Sequence, residues 1–168
     1  MPLLKDGVFV EDPWIHLDDG DDLPASGAIT VSLRRWRHDR ERLILRGGAV
    51  GVRLTSEQTP GELGDDLEFL GLVALDFPAF TDGRPYSNAR RLRERFGFEG
   101  ELRATGDVLR AQYLFLHRCG FDAFEVKASE AAEDWARAAA AITTPMQPAA
   151  DGALPALSLR ERRLKQVG

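Results

Sequence analysis

Cysteine is all but missing from this sequence: Cys119 is the only one among 168 residues. One thiol cannot close an intramolecular disulfide, and this chain alone cannot furnish a thiolate set for zinc or an iron–sulfur cluster. Long apolar runs are missing as well. No stretch approaches the roughly 20 residues that cross a bilayer, and the opening MPLLKDGVFVEDPW meets charge too early for a secretory leader. The three histidines, His16, His38 and His117, are scattered without metal-ligand spacing, and no P-loop or nucleophile elbow occurs. Gly47-Gly48-Ala49-Val50-Gly51 has the look of a dinucleotide loop, but it precedes a strand, whereas phosphate-binding glycines lie between a strand and a helix. These absences leave a cytoplasmic protein with no membrane segment, no metal site and no assignable cofactor as the expectation.

What is present suits one globular core. Hydrophobic residues make up 43% of the chain and charged residues 29%, enough apolar material to offset the entropy of ordering, at a length too short for two ordinary domains. The net charge of −5 is unevenly spread. Residues 1–27 carry seven acids against Lys5, while residues 28–46 carry six arginines against Asp39 and Glu41. These arginines fall on what reads as the solvated face of a helix, so nucleic acid is not the expected partner.

Along the chain, Val8-Phe9-Val10 and Trp14-Ile15-His16-Leu17 flank the turn Glu11-Asp12-Pro13, which predicts short strands in an N-terminal arm or hairpin, followed by an acidic loop to residue 27. From residue 28 to 142, apolar β-branched runs alternate with helical periodicity. Ala28–Ser32 leads into a helix over Leu33–Arg46, with Gly47-Gly48 as a left-handed cap. Ala49–Leu54 precedes a second helix begun by Thr59-Pro60-Gly61-Glu62 and carrying Leu63, Leu67 and Leu70. Leu72–Phe77 precedes a helix over 85–96. Glu101–Ala104 precedes a helix capped by Asp107 and ended by Gly120, and Phe121–Val126 precedes a last helix capped by Ser129. Residues 143–168 read as a flexible tail. The pattern is α/β: about five consecutive strand–helix units on a mostly parallel sheet, either open and doubly wound or curled as a partial barrel, plus short N-terminal strands.

In either closure a ligand binds at the carboxyl ends of the strands. That rule selects Asp76, Asp82, Arg84, Tyr86, Ser87, Arg103 and Asp107 as candidates to line one cleft, with Arg84 or Arg103 holding an oxyanion or phosphate. Turn formation, helix capping and ion pairing of Arg103 with Asp76 or Glu125 are the structural alternatives for the same residues. Cys119, at a helix end, reads as buried against the sheet.

The strings Leu75-Asp76-Phe77-Pro78-Ala79-Phe80-Thr81-Asp82-Gly83-Arg84, Tyr86-Ser87-Asn88-Ala89-Arg90, Gly100–Leu109 and Arg118–Phe124 resemble a bacterial family of unknown function. Its members are encoded in many proteobacteria beside sulfite reductase and phosphoadenylyl-sulfate reductase, and are often labelled oxidoreductases of sulfite reduction. The resemblance spans roughly residues 28–142. It implies a role in assimilatory sulfate and sulfite reduction, with sulfite reductase or another sulfur-assimilation enzyme as a partner, and it brings no catalytic residues. Six-electron reduction of sulfite needs haem-type iron and an iron–sulfur cluster, which one cysteine cannot hold. An accessory role, or an α/β enzyme binding a small anion, follows as the expectation; self-association as a homo-oligomer stays open.

Overall fold

Period-two alternation sends Ile29, Val31, Val52, Leu54, Val73 and Leu75 to one side of a sheet, where they meet the helices in a continuous core. The computed structural model describes residues 2–127, 131–140 and 149–150. Eight strands form one sheet: β1 (Leu3–Lys5), β2 (Val8–Val10), β3 (Trp14–His16), β4 (Ala28–Ser32), β5 (Val50–Leu54), β6 (Leu72–Phe77), β7 (Glu101–Gly106) and β8 (Ala123–Glu125). Their spatial order is β2-β1-β8-β7-β6-β5-β4-β3. Neighbours from β3 to β8 pair in parallel, and β1 pairs antiparallel with both β8 and β2. The sheet is therefore mixed.

This order settles the closure. A doubly wound sheet reverses direction part-way, but here each parallel strand is laid beside its predecessor without reversal, so right-handed crossovers stack the helices on one face. The sheet curls into a half-barrel. The link between its two outermost strands gives an independent measure of that curl. On a flat sheet β2 and β3 would lie about 33 Å apart. Val10 and Trp14 are joined by only Glu11, Asp12 and Pro13, a reach of about 14 Å. The hairpin of β1 and β2 and the strand β3 are thus built into the two edges of the sheet.

Between the strands lie α1 (Leu33–Leu45), α2 (Arg84–Arg90) and α3 (Tyr113–Arg118), and α4 (Ala132–Ala140) follows β8. Ser32 caps α1, its hydroxyl accepting the Arg35 N–H at 3.0 Å. The pattern of five clean strand–helix units is corrected in its second unit, which turns as two 3-10 segments, Pro60–Glu62 and Gly64–Phe69. Gly64, at φ +53, interrupts any α-helix there. Leu63, Leu67 and Leu70 are nonetheless buried as the spacing required. A π-turn over Arg91–Arg95 extends α2, and a 3-10 turn at Arg110–Gln112 precedes α3. Gly48 is not a left-handed cap: a Cβ there would lie 2.2 Å from the Gly27 carbonyl oxygen, so the requirement is close approach of two backbones. Ser129 and most of the tail from 143 lie outside the described residues.

The basic stretch 28–46 is largely neutralised within the fold. Arg35, buried, donates to the carbonyls of Asp18 and Asp21 and to Asp39; Arg37 meets Glu62 at 2.9 Å and Arg40 meets Asp66 at 2.6 Å. Trp36 adds its indole N–H to Asp66 at 2.8 Å. Among the described residues no helix is long and apolar enough to cross a membrane.

Candidate anion site in the mouth of the half-barrel

The face of the sheet turned away from the helices is charged. Ser32, Arg53, Ala74, Arg103, Ala123 and Lys5 stand level with one another on consecutive neighbouring strands. Alanine between the arginines leaves room for two guanidinium groups inside the curl, where parallel barrels ordinarily stack branched apolar side chains. Asp76, Thr105 and Glu125 sit one step towards the strand carboxyl ends, and Glu101 one step below.

Arg103 is the centre of this layer, with 2% of its side chain exposed. Each of its nitrogens meets a carboxylate: Asp12 receives Nη1 and Nη2 at 2.6 and 2.9 Å, Glu101 receives Nε at 2.8 Å, and Glu125 lies 3.4 Å from Nη1. Lys5 pairs with Glu101. Burial works against the Arg103 charge, but the hydrogen bonds to Asp12 and the charge of Glu101 outweigh it and hold its pKa above the ordinary value. Burial likewise pushes the Asp12 carboxyl up, while Arg103, the Trp14 N–H and Lys5 bring it below its ordinary value on balance.

Arg53 reaches across the curl from β5 to β8, where its Nη2 donates to Glu125 at 3.1 Å. Its Nε is buried and has no hydrogen-bond partner among the described residues. A buried donor without an acceptor costs about 1–3 kcal/mol. Above it, Asp76 accepts from the Thr105 hydroxyl at 3.3 Å, and among the described residues no cation pairs with it. The rim is tied by Asp107, which accepts the Phe80 N–H at 3.2 Å and Lys127 at 3.1 Å; Lys127 foremost, these hold its pKa below the ordinary value. Gly106, at φ +87, lets β7 close on β6 there, since a Cβ would lie 2.3 Å from the Phe77 carbonyl oxygen.

The seven residues selected from the sequence do not line one cleft. Asp76 and Arg103 share the inner face, with Asp107 at its rim. Arg84 instead opens α2, whose Ala89 packs into the core on the outer face of the sheet, and lines a different cleft from Arg103. Arg84 is locked to Asp82 through Nε at 3.0 Å and Nη2 at 2.7 Å, and these bonds keep Asp82 far below the usual carboxylate range. Tyr86 packs edge-on to Phe77 at 5.2 Å and against Phe115 at 4.9 Å, its phenol raised by burial. Ser87 lines a separate cleft of about 580 Å³ with Ser56, Thr59, Arg84, Asn88 and Arg91. Asp107 does not cap a helix, because the turn that follows starts only at Arg110.

Arg53, Asp12 and Glu101 escaped the sequence reading. Arg53 was detectable: a lone charge inside the otherwise apolar strand Val50–Leu54 must find a partner within the fold. Asp12, in a turn string, gives no such signal. Among the described residues no group of three or more His, Cys, Asp and Glu is placed to hold a metal ion, and Cys119 is buried. No curated protein matches the sequence. Residues 51–157, more than half the chain, match the family model described as a bacterial protein of unknown function (DUF934), and the chain belongs to that family.

Proposed function

We propose that this protein binds a small oxyanion in the mouth of its half-barrel and serves assimilatory sulfate and sulfite reduction in the cytoplasm as an accessory component, with sulfite reductase or a neighbouring enzyme of that route as its partner. The observation that carries the binding is the buried Nε of Arg53, unmet among the described residues, in the same inner layer of the parallel strands as Arg103. A guanidinium presents its N–H groups as a planar fork suited to two oxygens of one anion. The sulfur pathway rests on the resemblance of residues 75–84, 86–90, 100–109 and 118–124, and a single cysteine keeps six-electron cluster chemistry off this chain.

Calorimetric titration with sulfite, sulfate and phosphate tests the binding. At least one should bind, and Arg53→Met should lose it; a chain that binds none of the three refutes the site. Deletion of the gene tests the pathway. The strain should fail on sulfate and grow on sulfide, and normal growth on sulfate would remove the assignment.

A second reading, a small-molecule enzyme using the same mouth, is favoured by Asp76, a partly exposed carboxylate without a cation beside the guanidinium pair. Its test is Asp76→Asn, which would abolish turnover yet retain anion binding.

A further inference from the structure

The cations of the inner layer are already matched: Lys5, Arg53 and Arg103 face Asp12, Glu101 and Glu125, and Asp76 adds a fourth carboxylate on the same face. An incoming anion would add uncompensated negative charge to a largely buried cluster. Binding in such a place requires a carboxylate to leave or become protonated. The three paired acids are not equivalent. Glu101 and Glu125 are fixed in β7 and β8, with side chains 12% and 11% exposed. Asp12 is 27% exposed and belongs to the three-residue link between the outer strands.

That link lies over a seam. β2 and β3 are the two ends of the strand order and do not pair, so the backbone of residues 11–13 is the connection between them. Val8 and Val10 stand opposite Lys5 and Leu3, on the parity that faces the inner layer, yet both are exposed. This edge of the curl therefore meets solvent, and of the three paired acids Asp12 is the most exposed. Asp12 also accepts the Trp14 N–H at 3.0 Å, which joins the position of its carboxylate to the backbone at the start of β3.

The geometry points to Asp12 as an internal competitor for the anion site: its carboxylate occupies the Arg103 fork in the empty protein, and an oxyanion entering at the β2–β3 seam displaces it. The inference rests on the oxyanion-binding reading above. The ligand class is a small anion that accepts two parallel N–H bonds, and it gains Arg103 together with the unmet Nε of Arg53. Anion binding is thereby coupled to release of the strap. The neutral amide introduced by Asp12→Asn would keep the Trp14 contact but remove one negative charge from the Arg103 fork, so affinity should rise while the anion-free fold loses stability. A purely structural Asp12 would lose both.

The test is titration of the whole chain with sulfate and with sulfite, each alone, for the wild type, Asp12→Asn and Arg53→Met, alongside melting curves. Asp12→Asn should melt lower when empty, bind at least about tenfold tighter, as removal of one charge a few ångströms away implies, and regain wild-type melting at saturating anion. Hydrogen exchange in the wild type gives a readout that needs no variant: the Trp14 amide should exchange faster when anion is added. Equal or weaker binding by folded Asp12→Asn, or a Trp14 amide that exchanges no faster in the anion-bound wild type, overturns the competitor while wild-type binding lost in Arg53→Met leaves the site standing. Absence of binding in wild type and Asp12→Asn alike overturns both.

Discussion

Replacing Arg103 by methionine keeps the length and loses the charge, and the cost can be worked from its partners. Asp12 would lose its only bidentate partner, whereas Glu101 keeps Lys5 and Glu125 keeps Arg53. Removing one member of a buried ion network costs about 3–5 kcal/mol. For a chain of this size each kcal/mol lowers the midpoint by about 2–4 °C, so a fall of roughly 10 °C is expected at pH 7. The pH dependence identifies the cause. In the wild type the folded Asp12 pKa lies below its ordinary 3.8, so its contribution is full above that value and fades as acid protonates it. Without Arg103, burial dominates and pushes the carboxyl up, which makes the variant gain relative to wild type as pH falls from 7 towards 4. Melting curves across that range, read by circular dichroism, measure both effects. A deficit under about 1 kcal/mol at pH 7, or one that does not shrink on acidification, would refute the account of Arg103 as a buried electrostatic centre.

At the rim, Gly106→Ala forces a side chain into φ +87 and against the Phe77 carbonyl, so a loss of at least about 2 kcal/mol is expected in urea denaturation, together with weakened oxyanion binding. In the outer loop, Asp82→Asn should lower the midpoint at pH 7 slightly and flatten the acid limb. Asp82 has its folded pKa depressed by Arg84, so its stabilisation is present above the unfolded value near 3.8 and disappears below it; an unchanged acid limb would contradict that ion pair.

How much of this was legible in the sequence depended on the range of the forces involved. Strands such as Leu72–Phe77 announced themselves through apolar runs, and the Leu63, Leu67 and Leu70 stripe identified a buried face even though Gly64 made the turn 3-10. Local chemistry misled at Asp107: an aspartate ahead of a helix reads as a cap, and the same residue can equally staple two loops, as it does through Phe80 and Lys127. Arg84 and Arg103 both follow from the strand-end rule, but which cleft each meets depends on whether it lies in a strand or in the following helix. The pairing of Asp12 with Arg103 spans 91 residues and exists only because the sheet curls far enough to bring its edges within reach of one short link. Periodicity along the chain cannot report that closure.

The charged interior is hard to explain by stability alone. Well-packed apolar residues in place of a buried ion cluster are often neutral or stabilising by about 1–4 kcal/mol, so a fold needing only a filled curl would do as well with branched aliphatic side chains. A cluster kept to fix the strap in register is a coherent alternative, and it makes a different demand on the donors. Register-fixing requires every buried N–H to be satisfied within the protein, because a half-satisfied network is worse than an apolar one. Arg103 meets that demand at all three nitrogens. Arg53 does not: one nitrogen is given to Glu125 and its Nε is buried without an acceptor among the described residues. The difference between two arginines standing in one layer of the sheet separates the halves of the candidate site, one arginine held by the protein's own carboxylates and the other with a donor still to be met among the described residues.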